Sequence, residues 1–144
     1  MYKSILCLIL FLFLSSAVYA CTCATPRGKS DKELVDSEKE GSDSVFVGRV
    51  VKIIKDRKNR GYKAIFDVSE NWNGKTKRLR VSFGPYWICV ISFQKGKEYL
   101  VYAGGETELT AGTCSRTKET SDSRMSVDRQ YLGTPIMTNL KNKN

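Results

Sequence analysis

Beyond residue 44 the chain is a series of short apolar stretches separated by polar breaks. Residues 45–54, VFVGRVVKII, are rich in β-branched side chains and predict a strand, with Gly48 as the place for a bulge. The polar run 56–61, DRKNRG, predicts a turn, and residues 62–68, YKAIFDV, alternate as the partner strand. Asn71, Asn73 and Gly74 mark the next turn, ahead of an alternating strand over 78–83 that Gly84 and Pro85 end. Residues 86–93, YWICVISF, are apolar almost throughout, which suits a buried strand or ridge around Cys89. Residues 98–103, EYLVYA, have the unbroken apolar character of a central strand. Gly104, Gly105 and Gly112 frame a last short hairpin ending at Cys114.

Helices are predicted only at the two ends. Ser30-Asp31-Lys32-Glu33 is a capping-box pattern and opens a helix over 31–40, which Gly41 ends. With little apolar surface beyond Leu34 and Val35, this helix belongs on the rim of the body. Ser121 or Asp122 is placed to cap a second helix through Met125, Val127 and Leu132, stopped by Gly133 and Pro135. Residues 135–144 predict a disordered tail. The expected fold class is mainly β, a five-stranded barrel with short flanking helices.

Ahead of this body the pattern differs. Residues 1–20 carry one positive charge, Lys3, then an apolar run over 5–14, then small residues ending Val18-Tyr19-Ala20. That order is what an export signal needs, so cleavage is expected to leave Cys21 as the first residue. As a helix the run would reach ~15 Å, about half a bilayer core, which is too short for an anchor. No other segment approaches the ~18 apolar residues of a transmembrane span. The expected location is secreted or extracytoplasmic, periplasmic in a Gram-negative cell.

Charge and composition narrow the chemistry. The chain has 24 Lys and Arg against 15 Asp and Glu, a net +9, and loss of Lys3 leaves 23 against 15. Such a surplus favours anionic surfaces, and export sets nucleic acid aside as a partner. Lys52, Lys55, Arg57, Lys58, Arg60 and Lys63 cluster around one predicted hairpin, and Lys75, Lys77, Arg78 and Arg80 around the next. Of these, Lys55, Arg57, Lys58, Arg60, Lys77, Arg78 and Arg80 are candidates to bind anionic glycan or lipid, the alternative being an ordinary solvated basic face. There is no histidine. A Ser-His-Asp triad, a Cys-His pair and a His zinc site are therefore excluded. With no nucleophile elbow or phosphate loop either, no enzymatic activity and no cofactor are expected.

Of five cysteines, Cys7 would leave with the signal, and Cys21, Cys23, Cys89 and Cys114 remain. An even number in an exported domain implies two disulfides. Pairing Cys21 with Cys23 would strain a very small ring, so each is expected to reach one of the distant pair. The C-x-C spacing lacks the C-x2-C knuckles of a structural zinc site. In an extended segment Cys21 and Cys23 face one way and Thr22 the other. The free amine of Cys21 then lies beside its own carbonyl, and the two can chelate a metal in a five-membered ring.

Cys21-Thr22-Cys23 at the expected mature start resembles the tissue inhibitors of metalloproteinases and the wider netrin-like family. The resemblance continues through residues 42–48, 96–101 and 112–114 and covers about residues 21–132. It implies a single netrin-like domain over 21–134 with an OB-fold barrel, and the pairings Cys21–Cys89 and Cys23–Cys114. It further implies inhibition of a metzincin-type zinc endopeptidase. The Cys21 amine and carbonyl would bind the protease zinc, Thr22 would enter the S1′ pocket, and Trp87 and Ile88 would lie beside the wedge. The animal inhibitors have a third disulfide in this domain that this chain lacks cysteines to form, and Cys114-Ser115-Arg116-Thr117 looks more like the single-domain bacterial relatives. Two alternatives stand beside this. One is a non-inhibitory netrin-like binding module for an anionic glycan or another extracellular partner. The other is lipid anchoring at Cys21, because Val18-Tyr19-Ala20-Cys21 partly resembles a bacterial lipobox.

Overall fold

Alternate side chains of a strand lie on opposite faces of its sheet, and in this protein both faces of the central strands are apolar. The computed structural model describes residues 23–24, 26–58, 61–74, 78–84, 91–105 and 107–136. Its elements run α1 (Asp31–Glu40), β1 (Ser44–Asp56), β2 (Gly61–Asn73), β3 (Arg78–Phe83), β4 (Glu98–Ala103), β5 (Leu109–Thr110), β6 (Lys118–Glu119) and α2 (Met125–Leu132). Among the described residues the strands form one sheet in the order β5-β3-β2-β1-β4-β6, antiparallel except where β3 meets β5. The sheet curls into a half-barrel. A bridge between Gly104, just past β4, and Thr110 of β5 links its two sides.

The curl encloses one core and the helices cover another. Phe46, Phe66, Phe83, Phe93, Tyr99 and Val101 point into the concave side. Phe66 is the centre of that cluster, meeting Phe46, Phe93 and Tyr99 edge-on at ring separations of 5.3, 5.0 and 6.4 Å. Val45, Val47, Leu100 and Tyr102 point the other way, onto Val35 of α1 and Met125 and Leu132 of α2. Thus β4 sends Tyr99, Val101 and Ala103 to one core and Leu100 and Tyr102 to the other, which is why its sequence is apolar without a break. Beyond Val50 no described helix lies over the outer face, and Lys52 and Ile54 are exposed there.

Sharp curvature depends on local devices. The β1–β2 register shifts at Val47/Gly48, where a bulge was expected, and twice more. A Cβ on Gly48 would meet the Asp67 carbonyl oxygen at 3.0 Å and the Phe46 and Phe66 side chains at 3.3 Å, so only glycine lets β1 and β2 fold this closely. The α1 capping box forms as read: Ser30 N–H donates to Glu33 Oε2 at 2.7 Å while Ser30 Oγ accepts from Glu33 N–H at 3.4 Å. Far from a bare rim helix, α1 buries Val35 completely.

Several expectations are corrected. Asn71 and Asn73 belong to β2, which ends only at Asn73, and the turn falls at Gly74. Of the expected strand or ridge over 86–93, only 91–93 are described, and they do not form a strand. There Phe93 turns inward, and Gln94 N–H donates to the Tyr99 hydroxyl at 3.0 Å instead of a strand carbonyl. α2 starts at Met125, and its cap position is Arg124, although the Asp122 carboxylate accepts the Arg124 N–H at 2.8 Å. Trp72 Nε1–H donates to Gly133 O at 2.7 Å and Ile136 N–H to Asn71 O at 2.6 Å. These bonds tie the end of α2 to β2 and carry the body to residue 136, past the expected tail boundary. Residues 1–20, expected as a signal, and 137–144 lie outside the described residues.

Phe66→Ala should cost ~3–5 kcal/mol, the range for emptying an aromatic core position. Ile54→Ala, at a 37% exposed position, should stay within ~0.5 kcal/mol. Urea unfolding of both variants checks the pair.

Candidate functional site

The amino-terminal end of the described chain is covalently held. Cys23 is bonded to Cys114, with Cα atoms 5.3 Å apart and a sequence separation of 91. Cys114 lies in the turn after β5, where Ser115 bonds back to the Gly112 carbonyl through both its N–H, at 3.1 Å, and its hydroxyl, at 2.7 Å. Expected pairing and structure therefore agree for Cys23 and Cys114. Cys21, Thr22, Trp87, Ile88 and Cys89 lie outside the described residues, so one disulfide stands where two were expected.

The chain leaving Cys114 builds a polar floor beside this bond. Thr117 faces β4: its Oγ1 accepts the Tyr102 N–H at 2.9 Å and donates to the Tyr102 carbonyl at 3.2 Å. Its neighbours Arg116 and Lys118 both reach Asp128 on α2, which has no solvent exposure. Arg116 Nε–H donates to Asp128 Oδ1 at 2.6 Å, Lys118 Nζ donates to Oδ2, and the Tyr102 hydroxyl donates to Oδ1 at 3.3 Å. Burial, then repulsion from Arg116 and Arg124, pushes the Lys118 ammonium down to about 8, so it is still a cation at neutral pH. Burial pushes the Tyr102 phenol up, keeping it a neutral donor. A buried lysine and a half-buried arginine thus share one carboxylate, and the joint of β6, β4 and α2 is electrostatic as well as apolar.

Between the Cys23–Cys114 bond, Pro26, the Leu34 face of α1 and this floor lies a cleft of about 560 Å³. Its walls are fixed by a covalent bond on one side and an ion-paired network on the other. It can receive a side chain from another molecule. Among the described residues no group of three or more His, Cys, Asp or Glu is placed to hold a metal ion. No described helix is long and apolar enough to cross a membrane.

The basic candidates lie elsewhere. Lys55, Arg57 and Lys58 are exposed at the β1–β2 turn and Arg80 is exposed on β3. Arg78 contributes its backbone to β3, whereas Arg60 and Lys77 lie outside the described residues. Lys63, grouped with them in the sequence, is instead ion-paired with Asp56 at 3.2 Å and Glu108 at 2.5 Å. Arg116, Lys118 and Asp128 were not among the sequence candidates. The Arg-x-Lys alternation was visible, but nothing local says that an aspartate ten residues later is buried against it.

Neither protein-family models nor curated proteins return a match to this chain.

Asp128→Asn leaves the buried Lys118 and the half-buried Arg116 without a counter-charge and should destabilise by ~3–5 kcal/mol. Lys118→Met removes the surplus cation and should cost less than ~1.5 kcal/mol, as for a volume-conserving exchange. Chemical unfolding at neutral pH that ranked the two in the opposite order would overturn this account of the floor. Replacing Cys23 and Cys114 together by Ala opens a loop of 91 residues and should cost ~4–5 kcal/mol by the chain-entropy estimate, read by the same method.

Proposed function

We propose that this chain is a secreted inhibitor of zinc metalloendopeptidases, with a netrin-like domain whose half-barrel belongs to the OB-fold type. The Cys23–Cys114 bond carries the reading. A segment that starts two residues earlier at Cys21 would leave the body from a fixed point. Its amine and carbonyl would be presented with little ordering entropy lost on binding. The catalytic zinc of a metzincin-type protease keeps an open position for water or substrate. The Cys21 amine and carbonyl would occupy it, Thr22 would enter the S1′ pocket, and a Cys21–Cys89 bond would set Trp87 and Ile88 alongside. A disulfide also suits the oxidising compartment that export implies. On this reading the chain performs no chemistry of its own and needs no cofactor.

The test compares protein beginning at Cys21 with protein carrying one alanine ahead of it, against a metzincin-type protease. Mass spectrometry first establishes the free terminus. The native terminus should inhibit and the extension should weaken inhibition by at least ~100-fold, about 2.7 kcal/mol of lost binding. Equal inhibition by both forms, or an acylated Cys21 in the natural protein, overturns the proposal.

A further inference from the structure

The net charge of this protein is concentrated in one stretch of its sequence. Residues 49–83 contain 11 of the 24 Lys and Arg but 3 of the 15 Asp and Glu, so this stretch carries +8 of the total +9. Its β1–β2 hairpin end extends beyond the part of the sheet that the described helices cover. Both helices pack over Val45, Val47, Leu100 and Tyr102, whereas the outer face farther along β1 meets solvent. On that face Lys52 of β1 lies opposite Ile65 of β2, and Ile65 opposite Arg80 of β3. Arg57 and Lys58 follow at the hairpin turn, and Lys55, on the opposite face of β1 across from Tyr62, is exposed beside them.

Pairing separates these five cations from several others. Lys32, Lys63, Lys97, Arg116, Lys118 and Arg124 each hold a carboxylate. None of Lys52, Lys55, Arg57, Lys58 and Arg80 does so among the described residues. Five unneutralised charges along one strand and across to the second neighbour repel each other, and an anion laid over them relieves that repulsion. From Lys52 to the end of β1 at Asp56 the strand spans ~13 Å, with Arg57 and Lys58 beyond it, and Lys52 to Arg80 crosses two strand spacings, ~10 Å. A strip of that size suits an extended polyanion better than a single small ion.

We infer that the outer face of β1–β3, with its basic turn, binds a linear sulfated polysaccharide. Two other polyanionic surfaces fit less well. A bilayer surface needs an apolar face to bury alongside the charges, and Ile54 is the one large apolar side chain exposed here among the described residues. Single-stranded nucleic acid needs exposed rings for stacking. The nearest rings, Tyr62 and Phe83, stack on each other with centroids 5.6 Å apart, and Phe83 is buried. The strip is distinct from the Cys23–Cys114 end, so it stands or falls apart from the proposed inhibition.

Heparin serves as the probe, with the full purified protein and calorimetric titration at about 0.15 M salt. The variant Lys52→Glu/Arg80→Glu should lose at least tenfold in heparin affinity. Arg27→Glu/Lys95→Glu, with the same change in net charge at two exposed positions, should lose less than about threefold. Matching thermal melts and unchanged protease inhibition by the strip variant would confine the effect to the strip. Equal losses in the two variants overturn the inference, as does the absence of saturable heparin binding. Tighter binding to phosphatidylserine vesicles or to single-stranded DNA than to heparin overturns it in favour of those partners.

Discussion

Double-sided burial of β1 and β4 is the constraint from which the rest follows. A strand with apolar residues on both faces cannot sit at a water-facing surface, so each face needs a cover. Curling the sheet covers one face with its own aromatic side chains, Phe66 at their centre. The two helices cover the other. Neither helix is apolar enough to be stable alone. They are held by Val35, Met125 and Leu132 against the sheet, by the Trp72 bond to Gly133, and by Asp128 gripping Arg116 and Lys118. The segment leading to Cys114 is positioned by the same arrangement.

This division of labour separates two ends of the molecule. One end is clamped by helices, an ion-paired floor and a disulfide, and it is where the chain begins its described course. The other end is a long hairpin arm with no described helix over it, in the stretch of sequence that carries most of the net charge. Rigid presentation of a terminus and adhesion through a charged face make different physical demands, the first on conformational entropy and the second on unpaired charge. The two can coexist on one sheet because their residues do not overlap.

Much of this was legible because it is local. The capping box of Ser30 and Glu33 fixed α1 to its first residue, and the period-two pattern of 62–68 and 78–83 found β2 and β3. EYLVYA announced a strand buried on both faces. What was missed depends on partners far away in the chain. Residues 91–94 are apolar enough for a strand, but the Tyr99 hydroxyl takes the Gln94 N–H and Phe93 plugs the concave core. Two polar residues, Lys118 and Glu119, form β6 only because Leu100 and Tyr99 offer a free edge. Asp128 looks like any helix-surface acid until the fold sets it under Arg116 and Lys118. Cys23 and Cys114 were recognisable as bonded residues, but the cleft beside them needs α1 as its far wall, and no sequence pattern joins the two.

The hydroxyl of Thr117 has a consequence of another kind. By bonding to both main-chain groups of Tyr102, it occupies with a side chain the place a neighbouring strand would take. Together with the two-residue β6 it closes the exposed margin of the most apolar strand in the protein. A second copy of the chain would meet this margin of β4 already occupied, at Tyr102 by one small alcohol and at Tyr99 and Leu100 by β6.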